Sequence, residues 1–170
     1  MRRANIPRDS SNMVADDDTL YVAQGRYCIN FHGQTGQRTK RFVVPEADTG
    51  SFHWSFLAVE GSTLIGSRVA KGALYLGDDG EWYENYKPNE TSRVTSDRLF
   101  GLDTASGETQ WEYSGGAIIN STITIGEEVI YFIESVAETA RAKGGTIQTV
   151  DQLTHQRLVA LDLKTGQRLW

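Results

Sequence analysis

The chain has 170 residues, 39% hydrophobic and 23% charged, with 17 glycines, 3 prolines and a formal net charge of -5 at pH 7. That is the composition of a folded globular protein able to bury a core without disulfides or metals, and it excludes a disordered or fibrous chain. The acidic balance gives no global basic field and no basic patch stands out, so neither nucleic acid nor an anionic membrane is an expected partner.

The start, "MRRANIPRDSS", has two arginines but no apolar run behind them, so it reads neither as a signal peptide nor as a working twin-arginine signal. The expectation is a cytosolic chain or one whose true N-terminus lies upstream. No stretch approaches 18 apolar residues, so no transmembrane helix is expected.

In chain order, "SNMVADDDTLYVA" reads as two strands around a turn at Asp16 to Asp18, and "GRYCINF" as a strand carrying the single cysteine, Cys28. One cysteine excludes an internal disulfide and a Cys-rich zinc site, and its setting predicts a buried small residue. "CINFHGQTGQRTKRF" reads as a hairpin turning at Gly36, and "WSFLAVEGSTLIGS" as one around Gly61. Residues 68–97 then break the rhythm, with Tyr75, Trp82, Tyr83 and Tyr86 among acids and glycines. "LFGLDTASGETQW" is a hairpin ending at Trp111, and "INSTITIGEEVIYFIES" is another, turning at Gly126-Glu127. Residues 135–156 break the rhythm again. Ser135 and Glu138 at capping-box spacing predict a short helix there, with Gly144 as its stop. "LVALDLKTGQRLW" closes the chain on Trp170.

The last hairpin repeats the one ending at Trp111. Asp103 and Asp162 stand four residues before Gly107 and Gly166, Trp111 and Trp170 four after, and Ser106 and Thr165 also match. A worn third copy keeps Thr35 and Gly36 but has His32 in the Asp position and Lys40 in the Trp position, with Phe42 expected to do the packing. The glycines lie 71 and 59 residues apart (107 minus 36, 166 minus 107), more than a four-stranded blade of about 40 to 50 residues needs, so segments have been inserted. The Asp carboxylate and the hydroxyl can bond back to turn N–H groups, Gly supplies φ > 0, and Trp is a large flat anchor for a neighbouring sheet.

Asp, Thr-Gly and Trp at these spacings resemble the quinoprotein-type (PQQ-like) propeller repeat, A-L-D-x-x-T-G-x-x-x-W. The resemblance implies an all-β chain, one partial β-propeller over 1–170 built of four-stranded antiparallel blades. About three blades are present, roughly 7–45, 50–114 and 115–170, with insertions at 68–97 and 135–156 and an incomplete ring. Its structural repeat residues are Asp103, Gly107, Trp111, Asp162, Thr165, Gly166 and Trp170. The remaining blades would come from a longer chain or another copy. The compartment it points to is the bacterial periplasm or cell envelope.

The sequence is poor in catalytic motifs. His32, His53 and His155 lie in separate segments without ligand spacing, and no H-E-x-x-H, G-x-S-x-G or phosphate loop is present. "GDDGE" at 77–81 lacks the alternating acids of a calcium loop. No catalytic, cofactor-binding or metal residue and no cofactor is therefore expected. The resemblance admits two functions: a non-enzymatic scaffold that binds a protein partner, or part of a PQQ-dependent alcohol or sugar dehydrogenase whose catalytic residues lie in other blades. Such enzymes commonly carry adjacent cysteines in a vicinal disulfide against the quinone, which Cys28 alone cannot supply, so the scaffold is the preferred reading. Both insertions fall between the second and third strands of their blades, which predicts that they emerge on one face, opposite the tight turns at Gly61, Gly107, Gly126 and Gly166. Trp82, Tyr83 and Tyr86 are the expected partner contacts.

Overall fold

Alternating and β-branched runs separated by glycine turns build antiparallel sheets throughout the described residues. The computed structural model describes residues 12–45, 52–73, 93–143, 145–147 and 155–170. The first sheet is a four-stranded meander of β1 (Met13–Ala15), β2 (Thr19–Gln24), β3 (Tyr27–His32) and β4 (Arg38–Val43). In the second, β5 (Phe52–Glu60) pairs with β6 (Thr63–Ala70). After β7 (Arg93–Ser96), which leaves this sheet, come β8 (Arg98–Asp103) and β9 (Thr109–Tyr113), giving the order β5-β6-β8-β9.

The third sheet has a strand broken in two. β10 (Ala117–Ile119) and β11 (Thr124–Gly126) flank a 3₁₀ turn at Asn120–Thr122, and both pair with β12 (Val129–Ser135). Thr122 Oγ1 fills the gap in the ladder by accepting Ile133 N–H at 2.9 Å. A six-residue helix, α1 (Glu138–Lys143), and the two-residue β13 (Thr146–Ile147) precede β14 (Gln156–Asp162), which pairs with β12 along its whole length. The chain then turns back so that Leu169 N–H bonds Ala160 O at 2.8 Å. The protein is all-β, a partial propeller of stacked antiparallel sheets, two of them four-stranded, that do not close into a ring.

Each outer hairpin is tied by its own side chains. Asp103 Oδ1 accepts the N–H groups of Ala105 at 3.0 Å and Ser106 at 2.7 Å and the Ser106 hydroxyl at 2.9 Å. Asp162 Oδ1 takes Thr165 N–H at 2.8 Å and its hydroxyl at 2.6 Å. Gly107 and Gly166 sit at φ 79° and 65°, where a side chain is strained. The hairpin between β11 and β12 turns on Glu127 and Glu128, at φ 51° and 63°, with Gly126 still in its strand, one residue later than the sequence predicts. Both central residues are left-handed, the geometry that matches strand twist.

Consecutive sheets meet through an aromatic ring laid on the next hairpin's glycine. Phe42 of the first sheet is buried against Gly107 of the second, where a Cβ would lie 2.7 Å from Phe42 Cδ1. Trp111 of the second is only 6% exposed and lies on Gly166 of the third, where a Cβ would come within 2.6 Å of Trp111 Cδ2. The other side of the indole covers Gly101, its cross-strand partner. Around these anchors Tyr21, Cys28, Leu57 and Leu102 join the first interface, and Leu99, Ile118, Ile130 and Phe132 the second.

Trp111→Ala should cost about 3–5 kcal/mol, because it empties the space between two sheets; urea unfolding measures this, and an unchanged midpoint would refute the docking role. Hydrogen bonds from the Ser106 amide and hydroxyl hold Asp103, and those from the Thr165 hydroxyl and amide hold Asp162, below the usual carboxylate range. Their contribution is complete above the ordinary carboxylate pKa and is lost as pH falls through the lower folded-state values. The wild-type melting temperature should therefore drop more steeply between about pH 5 and about pH 2 than that of an Asp103→Asn/Asp162→Asn variant, and parallel profiles would refute it.

Candidate functional site

Opposite the glycine turns, the two segments that interrupt the meander meet. β7, from the first, pairs with β10 through Ser96–Ile118 and Thr95–Ile119, and with β13, from the second, through Val94–Thr146 and Arg93–Ile147. Thr95 N–H also bonds Gly145 O at 3.0 Å. Gly145, at φ 98°, passes so close to the base of the first segment that a Cβ would lie 2.8 Å from Ala73 Cβ. Helix α1 is pinned beside them by Ala140, which packs on Ala117. Ser135 does not cap this helix: it ends β12, fully buried, with Oγ accepting Ala137 N–H at 3.4 Å. The strand ladder claims the residue that capping-box spacing assigned to the helix.

Two polar clusters hold this end in place. Arg68 and Asp97 clamp the first segment shut: the guanidinium bonds both carboxylate oxygens and Pro45 O at 3.2 Å, and lies 4.0 Å over the Phe52 ring. Beside them Ser55, Ser67, Ser96 and Asn120 form a buried chain. Ser96 Oγ donates to Ser67 Oγ at 2.8 Å, and Asn120 Nδ2 donates to Ser55 Oγ at 2.7 Å. Ser67 Oγ accepts Phe56 N–H at 2.9 Å, so β5, β6, β7 and the 3₁₀ turn are cross-linked in a low-dielectric interior, where such a network is strong only when satisfied.

The second cluster centres on Glu134, which has no exposed surface. Its carboxylate accepts Arg157 Nε at 2.5 Å, the Tyr113 hydroxyl at 3.0 Å and Gly116 N–H at 2.5 Å. Burial and the Glu134 charge push the Tyr113 phenol above its ordinary value, and the hydrogen bond to Glu134 raises Arg157. The cluster joins β9, β12 and β14 where the second segment leaves the sheet. It is a fastening, with every carboxylate oxygen committed.

Of the residues singled out from sequence, Asp103, Gly107, Asp162, Thr165 and Gly166 build the turn end, and Trp111 the interior. Trp170 is 56% exposed on the outer face of the third sheet, its ring 6.2 Å from that of Tyr131. Trp82, Tyr83 and Tyr86, with Tyr75 and the acidic turn at 77–81, lie outside the described residues. Cys28 is buried, which pushes its thiol up to about 12 and leaves it inert. Among the described residues no group of three His, Cys, Asp or Glu side chains could hold a metal ion. Sequence reasoning missed the serine–asparagine network and Glu134, since isolated polar residues in strand-like runs give no periodic signal. No described helix is long and apolar enough to cross a membrane.

Comparison with known proteins places this geometry. No curated protein matches the chain. Among solved structures it is similar to the computationally designed Ika4 protein, at 9% identity and TM-score 0.52 over all of this chain and 73% of that one. It is also similar to a quinohemoprotein alcohol dehydrogenase from Pseudomonas putida, at 14% identity and TM-score 0.58 over 93% of this chain and 25% of that one. A europium-containing methanol dehydrogenase aligns at 11% identity and TM-score 0.52, over 94% and 23%. These identities show a shared fold alone, and the chain spans about a quarter of each dehydrogenase. A family model described as outer membrane protein assembly factor BamB matches residues 3–170, and the chain belongs to that family.

Proposed function

We propose that the chain is a propeller segment that serves as a non-enzymatic, protein-binding scaffold, with the end bearing the two inserted segments as its contact surface. The observation that carries this reading is the β7–β13 pairing, which joins segments from two different sheets into one structure. Loops that merely connected strands would not need a shared ladder, a buried serine–asparagine network and an Arg68–Asp97 clamp at their roots. The family description supports an assembly role, with the cell envelope as its setting. Trp82, Tyr83 and Tyr86, which belong to the first inserted segment by sequence, are the contact residues of this reading, types that bury much area at small entropic cost.

The same reading gives the outer face of the third sheet a partner. β12 is apolar on both sides: Ile130 and Phe132 are buried, while Tyr131 and Ile133 are half-buried on the other face beside exposed Leu158 and Trp170. A further blade, from a longer chain or another copy, would cover that face as the third sheet covers Trp111.

A Trp82→Ala/Tyr83→Ala/Tyr86→Ala variant should keep the wild-type melting temperature and lose at least about tenfold in affinity for a partner captured by the intact protein. Retained affinity in titration calorimetry would overturn the assignment of the contact surface.

A further inference from the structure

Each sheet of the stack offers an aromatic ring to one neighbour and a hairpin glycine to the other. Within the chain Phe42 rests on Gly107 and Trp111 on Gly166. One glycine and one ring are then unmatched among the described residues. Gly36, the hairpin glycine of the first sheet, has φ 66°, against 65° at Gly166, and no described atom lies within 4 Å of a Cβ placed on it. Trp170 holds the repeat position of Trp111 in the third sheet and is exposed.

Both unmatched groups belong to apolar faces. In the first sheet Tyr21 and Ala23 pack toward the second sheet, so Leu20 and Val22 alternate onto the opposite face, with Phe31 across from Leu20. These three are half-buried, and Val43 on the same face is exposed. In the third sheet Ile130 and Phe132 pack inward, which turns Tyr131 and Ile133 outward beside exposed Leu158. Contiguous apolar faces of this kind mark interaction sites. The two are complementary rather than alike: one carries the ring, the other the bare glycine, and that is the pair that joins consecutive sheets inside the chain.

We infer that a second copy of this chain docks head to tail on the first, with the Trp170 ring of each copy lying on the Gly36 hairpin of the other. The inference rests on the reading that a further sheet covers the third, and it identifies that sheet as the first sheet of the partner copy. Head-to-tail contacts give rings where the rotation closes and filaments where it does not. With three sheets per copy, two copies supply twice three, within the range of about 4 to 8 blades in which propellers close, and three copies exceed it. The contact then occurs twice in one two-fold dimer, and no ring or glycine is left uncovered.

Light scattering of the purified chain should report the mass of two copies at about 100 µM and a reversible fall toward one copy on dilution. Trp170→Ala and Gly36→Asn should each weaken the dimer at least about tenfold. Trp170 is exposed in the single chain, so its loss leaves the fold intact; Asn accepts the left-handed turn and sets a side chain where the ring would lie. An equimolar mixture of the two variants should dimerise more tightly than either alone, because the mixed pair keeps one intact Trp170–Gly36 contact, a rescue that misfolding would not produce. A chain that stays monomeric at about 100 µM, an assembly larger than two copies, or a dimer that Gly36→Asn leaves as wild type would overturn the inference. The hydrophobic dye ANS separates its failure from that of the covered face: a monomer whose dye binding is lost in Trp170→Ala/Leu158→Ser overturns the second copy alone, and a monomer that binds no dye overturns both.

Discussion

The contact of an aromatic ring with the glycine of the next hairpin is the constraint on which the rest depends. A glycine at φ near 65°, as at Gly166, lets the chain turn tightly and leaves a flat patch of backbone; the indole of Trp111 covers that patch and seals the interface from water. Any side chain at Gly166 would be strained and would also strike the ring. Phe42 performs the same task on Gly107 with a smaller ring two residues further along, so the interface tolerates a change of anchor but not the absence of one. From this contact follow the spacing of the sheets, the burial of β6 on both faces and the need for a small residue at Gly101.

The strands carry this constraint at one end and release the other. Between the sheets the packing is apolar and repeats. At the far end the repeat is interrupted, and buried polar groups take over. Ser67, Ser96 and Asn120 cross-link the roots of the inserted segments, and Glu134 fastens Tyr113, Gly116 and Arg157. Satisfied polar networks fix geometry more sharply than apolar contacts, because a partly broken one is penalised by each unpaired group. A recognition surface built there inherits a defined root. The turn end is short and is closed by the hydrogen bonds of Asp103 and Asp162 within their own turns.

Much of the fold was legible because local chemistry and long-range packing agree at the same residues. Asp103, Ser106 and Gly107 form the turn by themselves, and the Trp four residues on announces the neighbouring sheet. Phe42 could be named as the substitute anchor because Lys40 visibly stands in the wrong place. The inserted segments were harder. β7 has four residues and β13 two, and their pairing spans about fifty positions of chain that no periodic pattern connects. Ser135 looked like a helix cap because its spacing to Glu138 is right, but the β12 ladder holds it first.

A double-mutant cycle between Trp111→Ala and Gly166→Ala tests the central contact most directly. If the indole and the glycine backbone form one interface, the methyl group at residue 166 is costly mainly while the ring is present. The two changes should then couple by about 1–3 kcal/mol in equilibrium unfolding, with the double variant more stable than the sum of the singles implies. Additivity within about 0.5 kcal/mol would mean that ring and turn act independently, and would contradict the account.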